Sequence, residues 1–149
     1  MITKQYQKIL IVCMANICRS PSAEIILQSK YPALTVTSAG LKALSGKTTE
    51  KNASKQLIAN GYHLSNHIAR QLQIKMIQEA DLVLVMEKIQ QQKLMQIYPA
   101  YSGKVMLLGQ WLDNQEINDP YGKSEEVFAL VFRQIEMACY AWGQKLTFC

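Results

Sequence analysis

An unbroken apolar run, Ile9-Leu10-Ile11-Val12, ends on Cys13, and six positions later Arg19 opens the triplet Arg19-Ser20-Pro21. Such a run, short and rich in branched side chains, reads as a buried strand over 8–13. Ala23, Ile26 and Leu27 then recur at helical spacing, so residues 21–30 read as a helix. Ser20 is the expected N-cap and Pro21 the expected first helical residue. A helix entered this way turns its unpaired N–H groups and its positive dipole end back onto the loop. That geometry binds an anion and favours the thiolate form of a nearby cysteine. A thiolate at one end of the loop and a guanidinium at the other predict covalent phosphoryl transfer, with Cys13 as nucleophile.

The Cys-x5-Arg spacing is weak by itself. With four cysteines and a common partner residue, a loop that merely packs shows it by chance. The strand before, the helix start after and the serine beside Arg19 supply the weight.

At 149 residues, 49% of them hydrophobic and 18% charged, the chain is expected to form one globular domain over 1–149. The net charge of +5 favours anionic substrates. Its basic residues are scattered rather than interleaved with aromatics, which argues against nucleic acid. No apolar run reaches membrane-spanning length, and the polar start, 1–8, does not resemble a signal peptide. Four cysteines in this length make no disulfide framework, and Cys13 and Cys18 lack a second ligand pair at zinc spacing. The expectation is a cytoplasmic monomer with reduced thiols, needing no metal or cofactor. Cys139 is expected in a buried helix and Cys149 at a frayed end.

Further along, 34–38 reads as a second strand, parallel to the first across a helical crossover. Gly46-Lys47-Thr48 mimics the end of a nucleotide loop, but Gly40 and Gly46 enclose five residues where that motif has four. A helix over 49–60 ends at Gly61. His63 falls in the loop beyond. A short helix over 74–79 follows, then the near-continuously apolar strand 81–86, a polar helix 88–97 stopped near Pro99, and a strand over 104–108. The loop 110–123 carries Asp119-Pro120-Tyr121, and the last helix starts near Ser124. Its apolar stripe is Val127, Phe128, Val131, Phe132, Ile135, Cys139 and Trp142. This alternation is a three-layer α/β domain on a four-stranded parallel sheet.

Val12 to Pro21 resembles the signature of the low-molecular-weight protein tyrosine phosphatases. The resemblance covers nearly the whole chain, through Ser38-Ala39-Gly40, His67-Ile68-Ala69-Arg70-Gln71, Met86-Glu87 and Asp119-Pro120-Tyr121. One departure is Ala15, where the family usually has glycine. The family implies strand order 2-1-3-4, which puts Cys13 at the carboxyl end of a strand, where such sheets hold ligands.

On this basis Arg19 would grip the phosphoryl oxygens bidentately, and the N–H groups of Met14, Ala15, Asn16, Ile17, Cys18 and Arg19 would complete the cradle. Ser20 is expected to hydrogen-bond the sulfur. The resemblance assigns Asn16 and His67 to a network supporting the loop. Asp-Pro-Tyr alone is an ordinary turn; the resemblance makes Asp119 the general acid. It also makes Leu44 and Tyr121 the walls of a slot for a phenyl ring. Leu44, Ser38 to Leu41 and Gly46-Lys47 look like the bacterial branch linked to capsule and exopolysaccharide export, whose implied substrate is the tyrosine-rich tail of a tyrosine autokinase. Cys18 is either a buried packing residue or a redox partner that protects Cys13 as a disulfide.

Two other functions remain open. Arsenate reductases of the same fold that couple to thioredoxin use a further cysteine pair, yet no cysteine lies between Cys18 and Cys139. A phosphate-reading module without turnover would not need Cys13, Arg19 and Asp119 together.

Overall fold

The computed structural model describes residues 6–147, so Cys149 lies outside the described residues. Its elements are β1 (Lys8–Cys13), α1 (Arg19–Lys30), β2 (Thr35–Gly40), α2 (Lys51–Ala59), α3 (Ile74–Glu79), β3 (Leu82–Val85), α4 (Lys88–Ile97), a 3-10 helix (Pro99–Lys104), β4 (Val105–Leu107) and α5 (Glu125–Thr147). The four strands form one parallel sheet in the order β2-β1-β3-β4. Register runs from Lys8 opposite Thr35 to Cys13 opposite Gly40, and from Ile9 opposite Leu82 to Val12 opposite Val85.

Alternation along β1 divides the core in two. Ile9, Ile11 and Cys13 face a cluster with Ala23, Ile26 and Leu27 of α1 and Val131, Phe132, Ile135, Cys139 and Trp142 of α5. Leu10 and Val12 face the opposite layer, with Ile77 of α3 and Leu94 of α4. Because β1 is covered on both faces, it reads as an unbroken apolar run. The Trp142 indole donates to the Leu107 carbonyl at 3.0 Å, tying α5 to β4. The open edge of β2 is blunted by Gln28, whose amide donates to the Leu34 carbonyl and accepts from the Val36 N–H.

Beyond shifts of one or two residues at the ends of β2, β3 and β4, three boundaries differ from the sequence expectation. α1 starts at Arg19, with Cys18 as N-cap and no side-chain capping bond, so Ser20 and Pro21 lie inside the first turn. The Ser20 hydroxyl is engaged elsewhere, and Pro21 tolerates its position because first-turn N–H groups have no partner to lose. α2 begins after Glu50, whose carboxylate accepts from the Asn52 and Ala53 N–H groups. Pro99 does not simply stop α4; it starts the 3-10 helix. Among the described residues no helix is long and apolar enough to cross a membrane.

Candidate active site

The loop from Met14 to Cys18 leaves the carboxyl end of β1 at the switch point of the sheet, where β2 lies on one side and β3 on the other. Its carbonyls are all taken from outside. Cys13 accepts from the Leu41 N–H, Met14 from Lys42, Ala15 from Leu44, Ile17 from Glu50 and Cys18 from Ser22, each within 3.1 Å. The Asn16 carbonyl lies 2.7 Å from His67 Nε2. A carbonyl only accepts, so that ring nitrogen carries the proton. By contrast, the N–H groups of Met14 to Arg19 donate in none of the backbone hydrogen bonds among the described residues. Outward carbonyls and uncommitted N–H groups make the loop an anion cradle.

Asn16 is the hub. It is fully buried and has φ of 60°, a left-handed conformation that asparagine tolerates better than most residues. Its Oδ1 accepts the Arg70 N–H at 3.0 Å, which turns Nδ2 toward two serines. Nδ2 donates to Ser20 Oγ at 2.8 Å and to Ser38 Oγ at 3.0 Å. Ser38 therefore sends its own proton to Glu24 Oε1, 2.6 Å away. Ser20 Oγ, also an acceptor from Asn16, lies 2.9 Å from Cys13 Sγ and is the donor of that pair when the sulfur is a thiolate, and the Ser20 N–H points at the same sulfur from 3.4 Å. The network thus ends in two donors aimed at Cys13, a surrounding that stabilises negative charge on sulfur. Ala15, which stands where the family usually has glycine, is not among the left-handed residues; the left-handed residue of the loop is Asn16.

Gly40, at the end of β2, lets the next strand segment approach the loop. A Cβ there would sit 2.8 Å from the Met14 carbonyl oxygen, a contact no side chain permits.

Arg19 is buried, with its side chain 3% exposed. Nη1 donates to Glu87 Oε1 at 2.5 Å and to the Ile117 carbonyl at 2.8 Å, while Nη2 lies 3.9 Å from Asp119 Oδ2. Glu87 follows β3 by two residues, and Gln90 holds that turn by accepting from the Met86 and Glu87 N–H groups. Asp119 is half-exposed, and its Oδ1 accepts the Tyr121 N–H at 3.0 Å, so the Asp-Pro-Tyr turn does form. The turn also brings Asp119 to the mouth of the cradle.

A cavity of about 200 Å³ stands over the loop, walled by Cys13, Ala15, Ile17, Arg19, Leu44, Asp119 and Tyr121, with Cys18 and Lys42 also reaching it. Of the residues assigned to the site from the sequence, Cys13, Ala15, Ile17, Cys18, Arg19, Leu44, Asp119 and Tyr121 line this cavity, Met14, Asn16 and Ser20 belong to the loop and helix start behind it, and His67 bonds that loop from outside. Burial pushes the Cys18 thiol well above the usual range, and the negative charges of Cys13, Asp119 and Glu50 add to the shift. Cys18 therefore stays protonated. Ser38, Arg70 and Glu87 entered from the sequence only as motif residues without a role, and the Ile117 carbonyl was missed; for Glu87 the usable signal was its place just past an apolar strand run at the carboxyl side of the sheet.

A buried thiol and a guanidinium at opposite ends of an N–H cradle, with a carboxylate over the mouth, define the site of a phosphatase. Residues 8–147 match the family described as low molecular weight phosphotyrosine protein phosphatase, and the chain belongs to it. It is 45% identical to the low molecular weight protein-tyrosine-phosphatase Wzb of Salmonella typhimurium over 95% of both chains. The crystal structure of the Erwinia amylovora tyrosine phosphatase AmsI superposes with a TM-score of 0.92 at 41% identity, covering 95% of this chain and 94% of that one. Vibrio vulnificus Wzb in complex with benzylphosphonate is similar at TM-score 0.91 and 41% identity, covering 95% and 99%.

Proposed function

We propose that the protein removes phosphate from phosphotyrosine in proteins through a cysteinyl-phosphate intermediate. The observation that carries this reading is the pairing of two donors on Cys13 Sγ with a loop whose N–H groups are uncommitted. The Cys13 thiolate attacks phosphorus, the bond from phosphorus to the aryl oxygen breaks, and Asp119 gives its proton to the departing phenolate. Arg19 and the loop N–H groups hold the three equatorial oxygens as their charge spreads. Water then attacks phosphorus, Asp119 takes the water's proton, and the sulfur leaves with its charge stabilised by Ser20. Ala15, Ile17, Leu44 and Tyr121 supply apolar walls suited to a phenyl ring, and a ring-bearing phosphonate in the Vibrio relative fits the same slot chemistry. A slot of this kind also holds a short phosphoserine away from the thiolate.

Kinship with Wzb and AmsI supports a role in exopolysaccharide or capsule production, with a tyrosine autokinase tail as substrate. We place the enzyme in the cytoplasm as a monomer, where its catalytic thiol stays reduced.

Hydrolysis of p-nitrophenyl phosphate, phosphotyrosine peptide and phosphoserine peptide, with arsenate plus thioredoxin as a control, tests the reading. The first two should turn over, and the last two should not. Cys13→Ser should abolish turnover while inorganic phosphate still binds, and acid quenching of the wild type should trap phosphate on Cys13. Turnover near wild type in Cys13→Ser would eliminate the covalent mechanism.

A further inference from the structure

The segment after β2 is laid against the phosphate loop one residue at a time. The Leu41, Lys42 and Leu44 N–H groups donate to the Cys13, Met14 and Ala15 carbonyls at 2.9, 2.9 and 3.0 Å. The Lys42 and Leu44 side chains are therefore presented to the cavity from a backbone locked to the cradle. Leu44 supplies an apolar wall; Lys42 supplies a cation at the same mouth. Lys42 is exposed, and among the described residues no carboxylate pairs with it. The substrate's phosphate has its own ligands in Arg19 and the loop N–H groups, so the Lys42 charge is left over once one phosphate is bound.

We propose that Lys42 is a second anion subsite, which selects phosphotyrosines flanked in the peptide by a carboxylate or a further phosphate. The inference rests on the phosphatase reading and adds a substrate class to it. Apart from Asp119, which the phosphatase reading spends on the leaving group, the slot walls above the cradle are apolar, so they sense the ring but not the peptide around it. A cation at the rim senses charge in the neighbouring residues. Because the pair would form in water, its effect is modest and salt-sensitive.

The test compares kcat/KM for one phosphotyrosine peptide bearing glutamates, alanines or a second phosphotyrosine beside the target. At low ionic strength the wild type should prefer the glutamate peptide over the alanine peptide by roughly two- to fivefold. Lys42→Met should bring that ratio to about one, Lys42→Arg should keep it, and Lys42→Glu should invert it. A higher ratio for the doubly phosphorylated peptide, lost in Lys42→Met, identifies phosphate as the preferred anion. The ratio is taken within each variant, so a general loss of activity cancels. An unchanged ratio in Lys42→Met overturns the subsite while leaving the phosphatase intact. Absence of hydrolysis with every peptide in the wild type overturns the phosphatase reading and the subsite with it.

Discussion

Glu87 Oε1 lies 2.5 Å from Arg19 Nη1, so a carboxylate at the end of β3 holds the guanidinium that closes the phosphate loop. The Ile117 carbonyl holds the same nitrogen at 2.8 Å. Both contacts fall on one edge of the fork, which leaves the other to face a phosphoryl group. Glu87→Gln keeps the shape and removes the charge. It should lower kcat by about 10-fold, because a misplaced ligand loses transition-state contact. Since Glu87 is 27% exposed, the stability loss should be only about 1 kcal/mol, seen as a Tm lower by roughly 2–4 °C. An unchanged kcat with the same Tm drop would make Glu87 a purely structural partner.

Asp119 stands at the cavity mouth, 3.9 Å from Arg19 Nη2 and half-exposed. Asp119→Asn should lower kcat by roughly 10²–10⁴ on aryl phosphates with poor leaving groups. The loss should shrink for activated phenols, which leave without a proton. A Brønsted plot over a series of phenols checks this, and parallel lines for wild type and variant would assign Asp119 to the turn alone.

Ala15 stands where the family usually has glycine, yet the left-handed residue of the loop is its neighbour Asn16. Ala15→Gly should therefore relieve no strain. It should cost about 0.5–1 kcal/mol through added freedom of the unfolded chain, and it should not raise activity. Thermal unfolding and aryl phosphate kinetics measure both; a gain in either would reveal strain at Ala15.

Cys18 reaches the cavity that Cys13 lines, and its thiol is held protonated mainly by burial. Peroxide should convert the Cys13 thiolate to a sulfenic acid; loss of the Cys18 proton then lets its sulfur attack, forming the disulfide and releasing water. The attacking form is scarce at neutral pH, so disulfide formation should accelerate as pH rises. Mass spectrometry after mild peroxide should detect a linked peptide, a dithiol should restore activity, and bound phosphate should slow inactivation. Cys18→Ser should stay active but recover less. Full recovery by that variant without a linked peptide in the wild type would remove the protective role.

What the sequence by itself determined is local or periodic. Ile9 to Val12 had to be a strand covered on both faces, and Val127 to Trp142 had to lay one stripe on the core, because apolar spacing alone encodes which face is dry. Cys13, Arg19, Ser20 and the loop between them were legible because a strand end, a tight turn and a helix start lie within a few residues of one another. The family resemblance brought Asn16, His67, Asp119, Leu44 and Tyr121 to the site, where residue chemistry alone left Asp119 as a turn. Tertiary structure decided the rest. Ser20 looked like a helix cap, but its hydroxyl is drawn to Cys13 by Asn16, and the helix starts at Arg19 with no side-chain cap. Arg19 meets Glu87 and the Ile117 carbonyl across 68 and 98 residues of chain, and Lys42 is brought to the cavity by pairing with Met14. Such contacts depend on strand order and loop closure, which leave no periodic trace, so only the folded sheet brings these charges together.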